Sequence, residues 1–236
     1  MSADASRSPA GERADVPSWR LITTLAVAGA LAGLLIVGVF QWAQPQILEH
    51  RALVLSDAIQ SVLGGPDHYR TLFVSDGRLV AEPPAGVDTI QAEKVYLGYD
   101  EQDRPLGYAI VGAQPGFQDV IQLIFGYDAG ADRVLGTQIL ESKETPGLGD
   151  KIFKDEAFVA AFVGVAAPIR GVKEGAGHGG DDEVDMITGA TISSRTVIDI
   201  INRRVEGLGA MLKDYVAAEA GSVAPAGQAG GAGVSP

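Results

Sequence analysis

The hydrophobic pattern changes period repeatedly along this chain, and the changes mark its elements. Leu21 to Trp42 comes first, twenty-two residues without a charge. At about 1.5 Å rise per residue that stretch spans roughly 33 Å, enough for the hydrocarbon core of a bilayer. Thr23, Thr24 and Gln41 do not make a polar face, which argues against a buried core helix. A cleaved signal peptide is the alternative, but the apolar run is long for one. Its end, Phe40-Gln41-Trp42-Ala43, also lacks a small-x-small cleavage site. The reading is an uncleaved anchor over residues 19–43. Trp19 and Trp42 bracket it where interfacial aromatics sit, and Gly29 and Gly33 form a GxxxG face. That face is either a helix-packing surface or the ordinary small-residue content of membrane helices.

The period then becomes that of an amphipathic helix. From Gln46 to Leu63, Leu48, Ala52, Leu55, Ile59 and Val62 recur at three- and four-residue steps, and Gly64-Gly65-Pro66 ends the pattern. Over residues 69–140 short apolar runs predict strands at Thr71–Val74, Lys94–Tyr99, Gly107–Val111, Val120–Phe125 and Val134–Leu140. Asp-Gly, Asp-Arg-Pro and Asp-Ala-Gly-Ala-Asp turns separate several of them. Asp155 to Val165 predicts a short helix, and Val184–Ile187 a strand. Val197, Ile201, Val205, Leu208, Leu212 and Tyr215 then form the apolar stripe of a long last helix. Residues 1–18 read as a loose cytoplasmic tail, and 217–236, nearly all Ala, Gly, Pro and Ser, as a disordered one. The whole predicts an α+β domain over residues 46–216 behind a single N-terminal transmembrane helix.

Charge sets the topology and removes several functions. Arg7, Arg13 and Arg20 precede the span, while only Arg51 lies in the twenty residues after Ala43. The positive-inside rule places the N-terminus in the cytoplasm and the domain outside it, in a bacterium the periplasm. The 236 residues carry 18 Lys and Arg against 30 Asp and Glu, a net charge of -12, which disfavours a nucleic-acid partner. There is no cysteine, so thiol catalysis, disulfides, thiolate zinc and Cys-ligated iron–sulfur clusters are excluded. His50, His68 and His178 stand far apart, and no metal site is expected. Gly175-Ala-Gly-His-Gly-Gly180 fits the dinucleotide pattern G-x-G-x-x-G. Yet Asp181, Asp182 and Glu183 follow it where a helix should open, so it reads as a loop.

The candidate chemistry lies at Asp185-Met-Ile-Thr188-Gly189-Ala190-Thr191-Ile-Ser193-Ser194, which joins the last strand to the last helix. Unpaired amides and the dipole collect at a helix start, so this is a place for an anion. On the residues alone an ordinary N-cap, with Ser193 or Ser194 capping and Thr191 adjacent, is the simpler account.

Asp185-x-x-Thr188-Gly189-Ala190-Thr191 resembles the Asp-x-x-(Ser/Thr)-Gly-Ala-(Thr/Ser) motif of proteins that carry covalent FMN. In that family a flavin transferase moves FMN from FAD onto the last hydroxyl residue. The resemblance implies that Thr191 bears the phosphoester, with Asp185, Thr188, Gly189 and Ala190 completing the motif. A second motif, Glu144-Thr145-Pro146-Gly147-Leu148-Gly149, lies about forty residues earlier. Together they are similar to the G subunits of Rnf, the ion-translocating ferredoxin:NAD oxidoreductase, and to the C subunits of the sodium-translocating NADH:quinone reductase. Gly149-Asp150-Lys151 and the compact length resemble the Rnf protein more.

The resemblance implies a membrane-anchored electron carrier, no catalytic acid or base, and neighbours bearing flavin or iron–sulfur centres. It also implies ring contacts from Glu144, Thr145 and Leu148, and a complex that couples electron flow to Na⁺ or H⁺ movement. The alternatives are a quinone-reductase C subunit, a flavin-free membrane-tethered assembly module and a stand-alone exported reductase.

Overall fold

The structure is a computed structural model that describes residues 17–222 apart from 85, 87, 88, 90 and 91. The predicted tails therefore lie largely outside the described residues. Two compact units divide the chain near residue 52.

The first unit belongs to helix α1, Ser18–Leu63, which contains Pro45. The sequence pattern predicts two helices here, but α1 is continuous. Proline deletes one amide donor and leaves the rest of the ladder available. Helix α1 includes a stretch of mean hydropathy 2.3 and is long and apolar enough to cross a membrane.

The second unit is a six-stranded antiparallel sheet in the order β2-β1-β3-β4-β5-β6. Its strands are β1 (His68–Ser75), β2 (Arg78–Val80), β3 (Lys94–Tyr99), β4 (Pro105–Pro115), β5 (Val120–Asp128) and β6 (Arg133–Glu141). The five predicted strands are all present and mostly longer. β2 is additional, joined to β1 by Asp76-Gly77, both with positive φ, the geometry of a tight two-residue hairpin.

Both faces of the central strands are buried, which explains why β4 and β5 read as unbroken apolar runs. On one face Tyr108, Ile110, Leu123, Phe125 and Tyr127 join the main core, which includes Val197, Ile201, Leu208 and Leu212 of helix α4, Thr191–Ser222. On the other, Ala109 and Ile124 pack with Ala58, Ile59, Val62 and Leu63 at the end of α1. The predicted stripe of that helix is only partly used. Ala52 is exposed, and Ala58 takes part instead.

Between the sheet and α4 run two short helices, α2 (Lys151–Lys154) and α3 (Glu156–Ala160). A parallel pair, β7 (Arg170–Lys173) and β8 (Glu183–Met186), follows. α2 and β7 have no counterpart in the sequence reading. Asn202 of α4 holds the start of β7, accepting from the Ile169 amide at 2.7 Å and donating to the Ile169 carbonyl at 2.8 Å. Helix α4 also runs past residue 216, the expected end of the domain, through Ala217, Ala218 and Ala220, which are strong helix formers.

Candidate functional site

Thr191 is the first residue of α4, and its side chain is exposed. β8 ends at Met186, and the turn between holds Gly189 at φ +86°, a conformation natural to glycine. The Ser194 amide makes the first helical bond, to the Ala190 carbonyl at 2.8 Å. The amides of Thr191, Ile192 and Ser193 therefore have no carbonyl within the helix to bond. They collect beside the Thr191 hydroxyl, with the positive end of the helix dipole behind them.

Ser193 and Ser194 are not caps. Because the helix opens at Thr191, both lie inside its first turn, buried, and each hydroxyl is engaged elsewhere. Ser194 Oγ accepts from the Ile187 amide at 3.2 Å, which ties the helix back to the segment leaving β8. Ser193 Oγ donates to Glu144 Oε2 at 2.7 Å.

That second bond joins the two motifs. Glu144 follows β6, with only 6% of its surface exposed. Its Oε1 accepts from the amides of Gln118 at 3.1 Å and Asp119 at 3.4 Å, in the turn between β4 and β5. Burial alone would raise the Glu144 pKa. The hydrogen bonds from Ser193 and from the amides of Gln118, Asp119 and Phe117 outweigh it, so the carboxyl sits below the usual glutamate range. The close fit depends on missing side chains. A Cβ at Gly149 would stand 2.5 Å from Glu144 Oε2, and one at Gly116 would collide with Oε1. Thr145 adds a parallel tie, its hydroxyl donating to Gln118 Oε1 at 2.7 Å.

The Glu144–Gly149 loop, the Gly116–Asp119 turn and the start of α4 are thus one assembly. Both oxygens of Glu144, one of the expected ring contacts, accept from protein donors. Leu148 is exposed, and a Cβ at Gly189 would lie 3.9 Å from its Cδ2. Asp150, directly after the motif, is buried and bonded to the Gly147 amide at 2.8 Å and to Lys154 Nζ at 2.6 Å.

Asp185 is not drawn into this assembly. It is exposed on β8, lining a cleft of about 490 Å³ between α3 and the glycine-rich loop. That loop is closed by its own chain. Glu183 Oε2 accepts from the amides of His178, Gly179 and Gly180 at 2.7, 3.0 and 3.3 Å. The amides that a pyrophosphate would need already hold a carboxylate, and Arg170 pairs with its other oxygen. Gly116, Phe117 and Gln118 are residues of this assembly that the sequence reading does not single out, and it takes Ser193 only as a cap. The Pro115-Gly116 pair signals a turn there, but no local signal places it against a helix more than seventy residues later.

Residues 116–206, which include the Glu144 assembly, match the FMN-binding domain family. The G subunit of the ion-translocating oxidoreductase complex of Escherichia coli K12 is 31% identical over 186 residues, covering 76% of this chain and 85% of that one. Its namesake from Methanosarcina acetivorans is 29% identical over 202 residues, covering 86% and 96%. Among solved structures, NqrC of Shewanella oneidensis shares the fold with a TM-score of 0.60 at 16% identity, covering 72% of this chain and 99% of that one. The chain belongs to the family of G subunits of ion-translocating oxidoreductase complexes.

Proposed function

We propose that Thr191 carries FMN as a phosphoester and that this chain relays electrons through it within an Rnf-type ferredoxin:NAD oxidoreductase. The observation that carries the reading is the exposed Thr191 hydroxyl at the opening of α4, beside three amides free of helical partners. The residues present fit the group. The Gly189-Ala190 turn leaves the hydroxyl open to a transferase, and the helix start favours the phosphodiester charge that results.

When bound, the flavin supplies the capacity to accept and release electrons that this cysteine-free chain lacks. The protein's part is to hold and position it. Thr191 anchors it, Thr188, Gly189 and Ala190 shape the turn, and Asp185 presents the motif to the transferase. Leu148 and Thr145 border the ring, while Glu144 supports the assembly from beneath. No side chain needs to act as acid or base.

The helix in residues 19–43 anchors the chain. The arginines preceding it favour a cytoplasmic N-terminus and a periplasmic domain. The partners are the other membrane subunits of the complex, bearing flavin or iron–sulfur centres and coupling electron flow to Na⁺ or H⁺ movement. The names of the relatives support this reading. The alternative, the C subunit of a sodium-translocating NADH:quinone reductase with the same chemistry in another complex, is a related family with which the chain shares the fold. Co-purifying subunits separate the two.

The test is intact mass and in-gel flavin fluorescence on denatured protein, wild type against Thr191→Ala, both exported in a host with an active transferase. A mass gain of one FMN less one water, absent in the variant, is expected. An unmodified wild type, alongside a control protein that is flavinylated, overturns the proposal and favours the flavin-free assembly module.

A further inference from the structure

At the opposite end of β4 from the Glu144 assembly, the β3–β4 turn meets the joint where the chain passes from α1 to β1. Gly64-Gly65-Pro66-Asp67 makes that joint, and it is closely packed. A Cβ at Gly98 of β3 would stand 2.6 Å from Leu63 Cδ1 and 3.2 Å from Pro66 Cβ. The Asp67 amide donates to the Tyr99 carbonyl at 2.9 Å, and Gln60 Nε2 donates to the Pro66 carbonyl at 3.1 Å. His68 opens β1 directly after the joint. Its ring stacks on Tyr99, with centroids 5.1 Å apart and planes 10° from parallel, which fixes where its two nitrogens point. Nδ1 lies 3.3 Å from Asp67 Oδ2, and Nε2 lies 3.3 Å from Asp103 Oδ1 in the β3–β4 turn.

A neutral imidazole carries one N–H and one lone pair. It can donate to only one of these carboxylates, and its lone pair then faces an oxygen of the other. The imidazolium donates to both, through charge-assisted bonds. The other charged groups nearby leave the two nitrogens to these partners. Arg70 lies over the Tyr99 ring, 5.4 Å from its centroid. Asp100 is held within the turn by the Arg104 side chain and the amides of Gln102 and Arg104, and Glu101 is exposed.

We propose that His68 is a proton-operated latch, which on taking up a proton bridges Asp67 and Asp103 and locks the β3–β4 turn onto the joint between α1 and β1. Histidine is the side chain whose charge ordinarily changes between pH 5 and pH 8, so the latch reads the pH of the compartment around the domain. His68, Asp67 and Asp103 all face solvent, so the proton needs no path through the protein. Acidification stiffens the connection between helix and sheet, and rising pH frees the turn. The latch is independent of any flavin at Thr191.

The test is hydrogen exchange of the full chain in detergent at pH 5.5 and pH 7.5, corrected for the intrinsic pH dependence of amide exchange. A peptide covering residues 100–104 reads the latch, and one covering residues 128–133, the β5–β6 turn without histidine, is the control. The wild-type 100–104 amides should exchange about two- to fivefold more slowly at pH 5.5 than at pH 7.5, the range of an exposed charge pair. His68→Gln and Asp103→Asn should each bring that ratio to one. Both positions are exposed, and unchanged protection of the control peptide verifies that the variants are folded. A wild-type ratio of one, or a ratio that survives either substitution, overturns the latch.

Discussion

Replacing Glu144 by alanine removes an acceptor that three segments share, and the losses are unequal. Ser193 is 2% exposed, so its hydroxyl, now 2.7 Å from an oxygen, would have little water to turn to. Gln118 is exposed and Asp119 half-buried, so their amides regain solvent when Oε1 is gone. A buried unsatisfied donor costs about 1–3 kcal/mol, and a hydrogen bond to a charged group contributes about 1.5–3. With solvent replacing the amide bonds, Glu144→Ala should cost about 2–4 kcal/mol.

Glutamine keeps a carbonyl oxygen for the amides and turns an N–H toward Ser193, whose oxygen accepts. Neutral bonds are about half as strong as charge-assisted ones, so Glu144→Gln should cost roughly 1 kcal/mol. The assay is urea unfolding of the full chain in detergent, followed through the near-ultraviolet circular dichroism of the buried Tyr108 and Tyr127. Hydrogen exchange of a peptide covering residues 116–120 reads the turn directly. An alanine variant within about 0.5 kcal/mol of wild type, with the turn still protected, refutes the reasoning.

The same carboxylate predicts an acid dependence. Its folded pKa lies below the ordinary glutamate value of about 4.3, so its stabilisation is fully present above that value. It is lost as the pH falls through the lower, folded value. The stability gap between wild type and Glu144→Gln should therefore shrink between pH 6 and pH 3, and a constant gap contradicts the assignment. Gly149→Ala should destabilise by about 1–3 kcal/mol, because its Cβ would stand 2.5 Å from Glu144 Oε2 and 3.2 Å from Ser193 Oγ. Gly147→Ala, at φ +78° with open space around it, should cost about 1–2 kcal/mol through backbone strain alone and leave the 116–120 turn protected. Urea midpoints and exchange on both variants check the contrast.

The hydrophobic pattern by itself determined the apolar helix near the N-terminus, five of the eight strands in place, a sixth in Val184–Ile187, and the stripe of α4. These are local properties: a period of two or of 3.6 is visible within a few turns of chain. Thr191 came instead from the resemblance of Asp185-x-x-Thr188-Gly189-Ala190-Thr191 to a family motif, since the residues alone favoured an ordinary N-cap with Thr191 adjacent. β2 escapes the pattern because it is three residues long, and β7 because four residues at the surface show no period. The helix opening reads too late for a similar reason. Ser193 and Ser194 have the composition of caps, and only the packed structure occupies their hydroxyls with Glu144 and Ile187.

Glu144 marks the limit most clearly. In the sequence it stands in a conspicuous loop motif, and the family resemblance implies contact with the ligand. Its partners are about 25 residues earlier and 49 residues later, brought to it by the β4–β5 pairing and the docking of α4. No local rule records such distances. A carboxylate can point outward or inward with the same neighbours in sequence, and the choice depends on which donors the tertiary structure delivers to its two oxygens. Composition and period therefore decided the local elements and a motif resemblance pointed to Thr191, while long-range packing decided which segments meet at Glu144.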